Sequence, residues 1–305
     1  MALCATWREP GAHFSGGAHA TCDGARRHAD SSVEGHVRPR IIGAGGHLPL
    51  SSSRYLIDGH WLEAARIEAR DPNLPTIVML HEGLGSVAHW KDFPSRLADE
   101  TGAGVFLYSR YGHGGSDVLE AARSISYMHH EAQVVLPEIL QKAGIERPLL
   151  LGHSDGASIA ILYAGTFPES PAGLILEAPH VFVEDITVSS IAQARVLYNE
   201  TDLPQRLGRY HANVDALFWG WSNIWLDPRF RDWNIESYLD SIRCPVLVIQ
   251  GAEDEYGTTK QIEAIQRRIP SASAVILENC RHAPHRDRCD ATLAAISSFR
   301  AASKV

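Results

Sequence analysis

The chain has 305 residues, 45% of them hydrophobic and 21% charged, with a formal net charge of −8. Such a composition belongs to a globular protein able to bury a core and excludes the disordered and fibrous classes. The acidic balance supplies no basic stripe to displace counterions from nucleic acid, and it disfavours an anionic membrane surface.

Residues 1–53 are rich in Gly, Ala, His, Ser and Arg, contain Gly16-Gly17 and Gly45-Gly46, and lack any sustained apolar period, so they read as a poorly ordered extension. Histidines such as His13, His19, His28 and His36 are too irregularly spaced to suggest a metal site. From residue 54 the texture changes. Residues 54–57 and 61–68 flank Asp58-Gly59, the turn dipeptide of a β-hairpin. Short apolar runs then alternate with helical patterns: strand 76–80 and helix 95–100, strand 104–108 and helix 128–143, strand 148–151 and helix 157–167. That alternation predicts parallel βαβ units. Strands at 173–177, 245–250 and 274–277 follow, with a last helix at 290–299. Residues 181–242, which include Phe218, Trp219, Trp221, Trp225 and Trp233, are too long for a plain loop and read as a helical cap inserted into the core formed by 54–180 and 243–305.

The cysteines Cys4, Cys22, Cys244, Cys280 and Cys289 are odd in number and lack C-x-x-C spacing, so neither a disulfide framework nor a zinc site is expected. With no membrane-spanning apolar run and no secretory signal order, a reducing cytoplasm is the simplest setting.

Chemistry concentrates where the predicted strand 148–151 enters Gly152-His153-Ser154-Asp155-Gly156 and then a helix. Small residues at both ends allow a sharp strand-to-helix turn, exposing Ser154 on a strained corner beside a helix N-terminus. A serine hydroxyl is a weak nucleophile and needs a base, which in turn needs a carboxylate to hold its tautomer. Asp254 follows the strand 245–250 and His282 follows the strand 274–277, so both reach the same sheet edge in the order serine, acid, histidine. Glu253 and Glu255 flank Asp254, and His285 competes with His282, with a hydrogen-bonding cap as its alternative role. For the oxyanion, the Asp155 N–H is one donor, and Gly83 in the loop His81-Glu82-Gly83-Leu84-Gly85-Ser86 is the second, with Leu84 the alternative.

These motifs, together with Tyr108-Ser109-Arg110-Tyr111-Gly112-His113-Gly114-Gly115-Ser116, resemble the α/β-hydrolase fold superfamily over about residues 54–299. The resemblance implies a mostly parallel eight-stranded sheet with helices on both faces and a helical cap over the site. Glu82 departs from the usual His-Gly pair of the oxyanion loop. Gly-His-Ser-Asp-Gly is further similar to the elbow of biphenyl-hydrolase-like and valacyclovir hydrolase enzymes. That implies esters bearing an amino group, for which Glu82, Asp155 and Glu177 are candidate acids, each with a structural alternative: a loop-ordering Glu82, a helix-capping Asp155, a Glu177 paired with an arginine. Trp219 and Trp221 are candidate substrate contacts, while His153 and Trp90 pack around the motifs. The expected function is cofactor-independent serine hydrolysis of a small-molecule carboxylic ester through an acyl-enzyme. C–C bond hydrolysis of a ring-cleavage product or perhydrolysis would use the same triad, and a non-catalytic ligand-binding protein is the alternative of another class.

Overall fold

A computed structural model describes residues 50–305. Most of the predicted extension, with Cys4 and Cys22, lies outside the described residues. The hairpin of β1 (Ser51–Ile57) and β2 (His60–Ile67) closes through Asp58 and Gly59, both at positive φ (49° and 79°), as a two-residue turn of this hand requires. It starts three residues before the expected boundary at 54. Ser51, Ser52 and Ser53 pair with Arg66, Ala65 and Ala64, because an edge strand with alternately exposed residues needs no apolar run.

The sheet continues through β3 (Ile77–Leu80), β4 (Val105–Tyr108), β5 (Leu149–His153), β6 (Gly173–Glu177), β7 (Val246–Gly251) and β8 (Ser273–Leu277). Its order is β1-β2-β4-β3-β5-β6-β7-β8, antiparallel at β1/β2 and β2/β4 and parallel elsewhere. β3 to β7 are buried along their whole length, the near-continuous apolar texture of a sheet covered on both faces. Strand alternation sorts their side chains into two cores: Leu150, Leu174, Leu176 and Val248 face one layer, Leu149, Leu151, Ile175 and Ile249 the other.

The second layer is α1 (Phe93–Thr101) with α11 (Cys289–Ser303), through Leu97, Ile296 and Phe299. On the first layer lie α2 (Tyr127–His130) and α3 (Leu136–Lys142), joined by a π-helical turn at Glu131–Val135, then α4 (Asp155–Thr166) and α9 (Lys260–Arg268). α4 is buried over Asp155–Ala164, and Gly165 lets Tyr238 approach: a Cβ there would stand 2.6 Å from the Tyr238 carbonyl oxygen. Between β6 and β7 the chain forms the helical insertion, α5 (Asp185–Glu200), α6 (Leu203–Leu207), α7 (Val214–Trp225) and α8 (Glu236–Leu239). The short α10 (Pro284–Asp287) precedes α11.

Candidate active site

Ser154 follows the last residue of β5 and adopts φ 53°, ψ −115°, a conformation an L-residue occupies only under strain. The flanking glycines permit this corner. A Cβ on Gly156 would stand 2.0 Å from the Leu80 carbonyl oxygen, and one on Gly152 would stand 2.3 Å from that of Gly156. The Ser154 N–H donates to the Glu177 carbonyl at 2.9 Å, tying the corner to β6.

His282 and Asp254 arrive from the loops after β8 and β7. His282 Nε2 lies 2.9 Å from Ser154 Oγ, and Nδ1 lies 2.8 Å from Asp254 Oδ1. A carboxylate can only accept, so Nδ1 carries the proton and the serine hydroxyl donates to Nε2. Asp254 is fixed by the N–H groups of Tyr256 (2.8 Å) and Gly257 (3.2 Å), and Gln250 Nε2 reaches its other oxygen at 3.3 Å. The His282 carbonyl accepts from His153 Nε2 at 2.7 Å. Burial opposes the imidazolium, but the Asp254 charge and hydrogen bond outweigh it and hold the His282 pKa above its ordinary value. For Asp254 burial works upward, while His282, the Tyr256 N–H and His180 outweigh it, and the carboxyl lies below its usual range.

The neighbouring acids and histidine take other places. Glu255 Oε2 accepts the His282 N–H at 3.3 Å. His285 Nδ1 lies 2.7 Å from Glu177 Oε2, which also accepts the His285 N–H at 3.3 Å, so His285 belongs to a second buried pair rather than beside Ser154. Glu177 thus meets a histidine where an arginine was one alternative.

The loop after β3 is held by its carbonyls. Glu82 O accepts from His81 Nδ1 (2.7 Å), Arg110 Nη2 (3.0 Å) and the Gly85 N–H (3.1 Å), while Gly83 O accepts from His113 Nε2 (3.2 Å) and Leu84 O from His211 Nε2 (2.9 Å). In a planar trans peptide the N–H points opposite its C=O, so anchoring the Glu82 carbonyl fixes the direction of the Gly83 N–H. Glu82 Oε2 accepts the Leu84 N–H at 2.7 Å. The unusual glutamate therefore occupies the alternative donor and orders the loop. Gly83 and Asp155 both border the cavity that Ser154 and His282 line, and Asp155 opens α4, where the first amides have no helical acceptor. A side chain at 83 is impossible without moving the helical insertion: its Cβ would lie 2.2 Å from Trp221 Nε1.

The model of the alpha/beta hydrolase family matches residues 77–295, which span β3, the Ser154 corner, the insertion, and the Asp254 and His282 loops. The chain belongs to the alpha/beta hydrolase family. Relatives of this chain include proline iminopeptidase of Lactobacillus delbrueckii subsp. bulgaricus, 26% identical over 128 residues. That match covers 42% of this chain and 43% of the relative, so it spans less than half of the iminopeptidase. The sn-1-specific diacylglycerol lipase ABHD11 of Mus musculus is 26% identical, covering 83% of this chain and 86% of the lipase. A 2-hydroxy-6-oxononadienedioate/2-hydroxy-6-oxononatrienedioate hydrolase 2 of Pseudomonas putida is 25% identical, covering 68% and 81%. Among solved structures, proline iminopeptidase of Mycobacterium smegmatis superposes with a TM-score of 0.66 at 19% identity, covering 83% of this chain and 98% of that one.

The cavity beside Ser154 comprises about 880 Å³ of non-atom space, open solvent at its mouth included. From the insertion it takes Ile191, Ala194 and Leu197 on α5 and Phe218, Trp221 and Trp225 on α7. Those three aromatics recur at helical spacing on one face. Trp219, expected beside Trp221 as a substrate contact, does not line it. Two residues apart on a helix means about 200° around the axis, so the two indoles cannot share a face; Trp219 instead meets Tyr198 edge-on at 5.6 Å and lies under Arg195. Glu82, Trp221 and Asp155 do line it, whereas Glu177 does not. Sequence reasoning missed Arg110, His180 and Tyr256. His180 and Tyr256 line the cavity and lie within 5.7 and 4.7 Å of the His282 ring. Burial and the neighbouring His282 push the His180 pKa down to about 4. Arg110 stands inside a glycine-rich stretch that gives no periodic signal, although a fully buried arginine always requires acceptors.

Proposed function

We propose that this hydrolase cleaves a carboxylic ester through an acyl-enzyme on Ser154. The observation that carries this reading is the continuous relay Ser154 Oγ to His282 Nε2 and His282 Nδ1 to Asp254, ending on a strained residue that opens a helix. Ser154 passes its proton to Nε2 as Oγ bonds the carbonyl carbon. The negative oxygen of the tetrahedral intermediate is met by the N–H groups of Gly83 and Asp155, each such donor being worth about 10²–10³ in rate. The C–O bond breaks, the departing alkoxide takes the Nε2 proton, and the acyl group stays on Ser154. Water then loses a proton to Nε2, its oxygen attacks the acyl carbon, and Ser154 leaves reprotonated.

The relatives' names span an iminopeptidase, a diacylglycerol lipase and a 2-hydroxy-6-oxononadienedioate hydrolase, so the bond is argued from the cavity. Its aliphatic α5 wall and aromatic α7 wall favour an apolar acyl group. A fluorophosphonate probe is expected to label Ser154, and Ser154→Ala to abolish labelling and to lower p-nitrophenyl ester turnover by on the order of 10⁴-fold or more with an unchanged melting temperature. Native-like protein that neither labels at Ser154 nor turns over such esters would overturn the proposal.

A further inference from the structure

Hydrolysis of an acyl-enzyme needs a water at His282 Nε2, and a water held in a largely apolar cavity needs a second polar partner. Several polar side chains that line the cavity are already engaged. Asp155 accepts the Tyr127 hydroxyl at 2.5 Å and lies 3.9 Å from Arg110 Nη2, and Glu82 accepts the Leu84 N–H. The Thr187 hydroxyl donates to the Tyr256 carbonyl and that of Thr201 to the Leu197 carbonyl. His153 Nε2 is spent on the His282 carbonyl.

His180 is placed differently. It is 2% exposed, lines the cavity, and its ring centroid lies 5.7 Å from that of His282. Its Nδ1 is sealed inside the protein without a hydrogen-bond partner, whereas Nε2, equally unpartnered among the described residues, is not sealed and faces the cavity that the ring lines. Burial and the neighbouring His282 keep the imidazole neutral, so one nitrogen donates and the other accepts. An orphaned buried N–H is rarer than an under-used acceptor, so the proton belongs on Nε2 and the cavity meets a donor. The chain at His180 is fixed relative to the nucleophile. Ser158 Oγ, one turn along α4 from Ser154, donates to the His180 carbonyl at 2.6 Å, and the Val181 N–H donates to Gln261 Oε1 at 2.8 Å. Two hydrogen bonds of about 2.9 Å to one water hold ring nitrogens roughly 4.5–5 Å apart, a span open to two rings whose centroids are 5.7 Å apart.

We propose that the His180 Nε2–H holds the water that hydrolyses the acyl-enzyme and presents it to His282 Nε2. The proposal rests on the ester-hydrolase reading. The water oxygen accepts from His180 and gives one proton to His282 Nε2 as it bonds the acyl carbon. The bond to Ser154 Oγ then breaks and Oγ takes that proton from Nε2, while the His180 proton stays in place. p-Nitrophenolate departs without such a donor, so with p-nitrophenyl acetate the loss of His180 falls on deacylation rather than acylation.

The test compares His180→Gln with His180→Met, side chains of similar length of which only the glutamine donates. At saturating p-nitrophenyl acetate, acid quenching and intact mass give the acylated fraction of Ser154. The deacylation rate constant is kcat divided by that fraction, and kcat/KM reports acylation. His180→Met is expected to lower the deacylation constant by about tenfold or more and to raise the acylated fraction, with kcat/KM within about twofold of wild type. His180→Gln should regain most of the lost rate. An unchanged deacylation constant in His180→Met, equal losses in both steps, or a glutamine no better than methionine overturns the proposal. If neither variant folds, a crystal structure of the wild-type protein carbamylated at Ser154 decides. A water within hydrogen-bond distance of both His282 Nε2 and His180 Nε2 is expected there, and one held by Tyr256 or by no second side chain overturns the proposal. Those outcomes in a protein that labels and acylates at Ser154 sink this inference alone; failure to label or acylate at all sinks the ester reading with it.

Discussion

His282 shows how opposing local effects set one proton. Burial alone would make its imidazole hard to protonate, yet Asp254 at 2.8 Å more than reverses that, and the pKa lies above the ordinary value. A protonated His282 cannot accept the Ser154 proton, so kcat/KM should fall as pH drops through a pKa above that of free imidazole, about 6.5. Asp254→Asn removes the charge that raises it. The acid limb of the profile is then expected at lower pH, with the plateau reduced by on the order of 10⁴ because the tautomer is no longer held. An unmoved limb in Asp254→Asn would show that another group controls the profile.

At the scale of elements, the site is a set of loops tied to one another at the carboxyl edge of a parallel sheet. Arg110, just beyond β4, donates to the carbonyls of His81 and Glu82 beyond β3, and faces Asp155 on α4. Glu177, ending β6, holds His285 on α10, three residues past His282. This second pair shares no atom with the proton relay, so its role is to fix the chain that carries His282. His285→Leu removes the side-chain partner of the buried Glu177 carboxyl, leaving it only the backbone N–H at 285, and is expected to destabilise the fold by about 3–5 kcal/mol. Glu177→Leu/His285→Leu should recover part of that loss, since no buried charge is stranded; urea unfolding of both variants checks the order. A double variant less stable than the single one would contradict it.

Across the whole molecule, core and insertion meet through Trp221, whose indole occupies the space a side chain at Gly83 would need. The insertion is thereby packed directly against the loop that carries a proposed oxyanion donor. Trp221→Ala should lower kcat/KM for p-nitrophenyl hexanoate by about tenfold or more while affecting the acetate less, because a short acyl group does not reach the apolar wall. Equal losses on both esters would instead place the effect on the Gly83 loop. Among the described residues no helix is long and apolar enough to cross a membrane.

Local rules made much of this architecture readable in the sequence. Apolar runs and helical patterns marked β3 to β8 but not α9, between β7 and β8; β3 to β7 stand out because a sheet buried on both faces demands uninterrupted apolar strands, whereas β8 is a largely exposed edge. Gly152-His153-Ser154-Asp155-Gly156 stood out because its glycines are demanded by steric contacts with nearby backbone. Distance along the chain hid the rest. Which face of α7 met the cavity depended on how the insertion docks, so Trp221 lines it and Trp219 does not. The partners of Glu177, Asp155 and Arg110 lie 108, 28 and 28 or 29 residues away, and only packing decides whether a buried acid is open to a ligand or already neutralised. Sequence alone determined most of the sheet and the Ser154 corner; tertiary structure alone decided which side chains line the cavity and which acids are paired, because partnership depends on separation in space and on burial rather than on order in the chain.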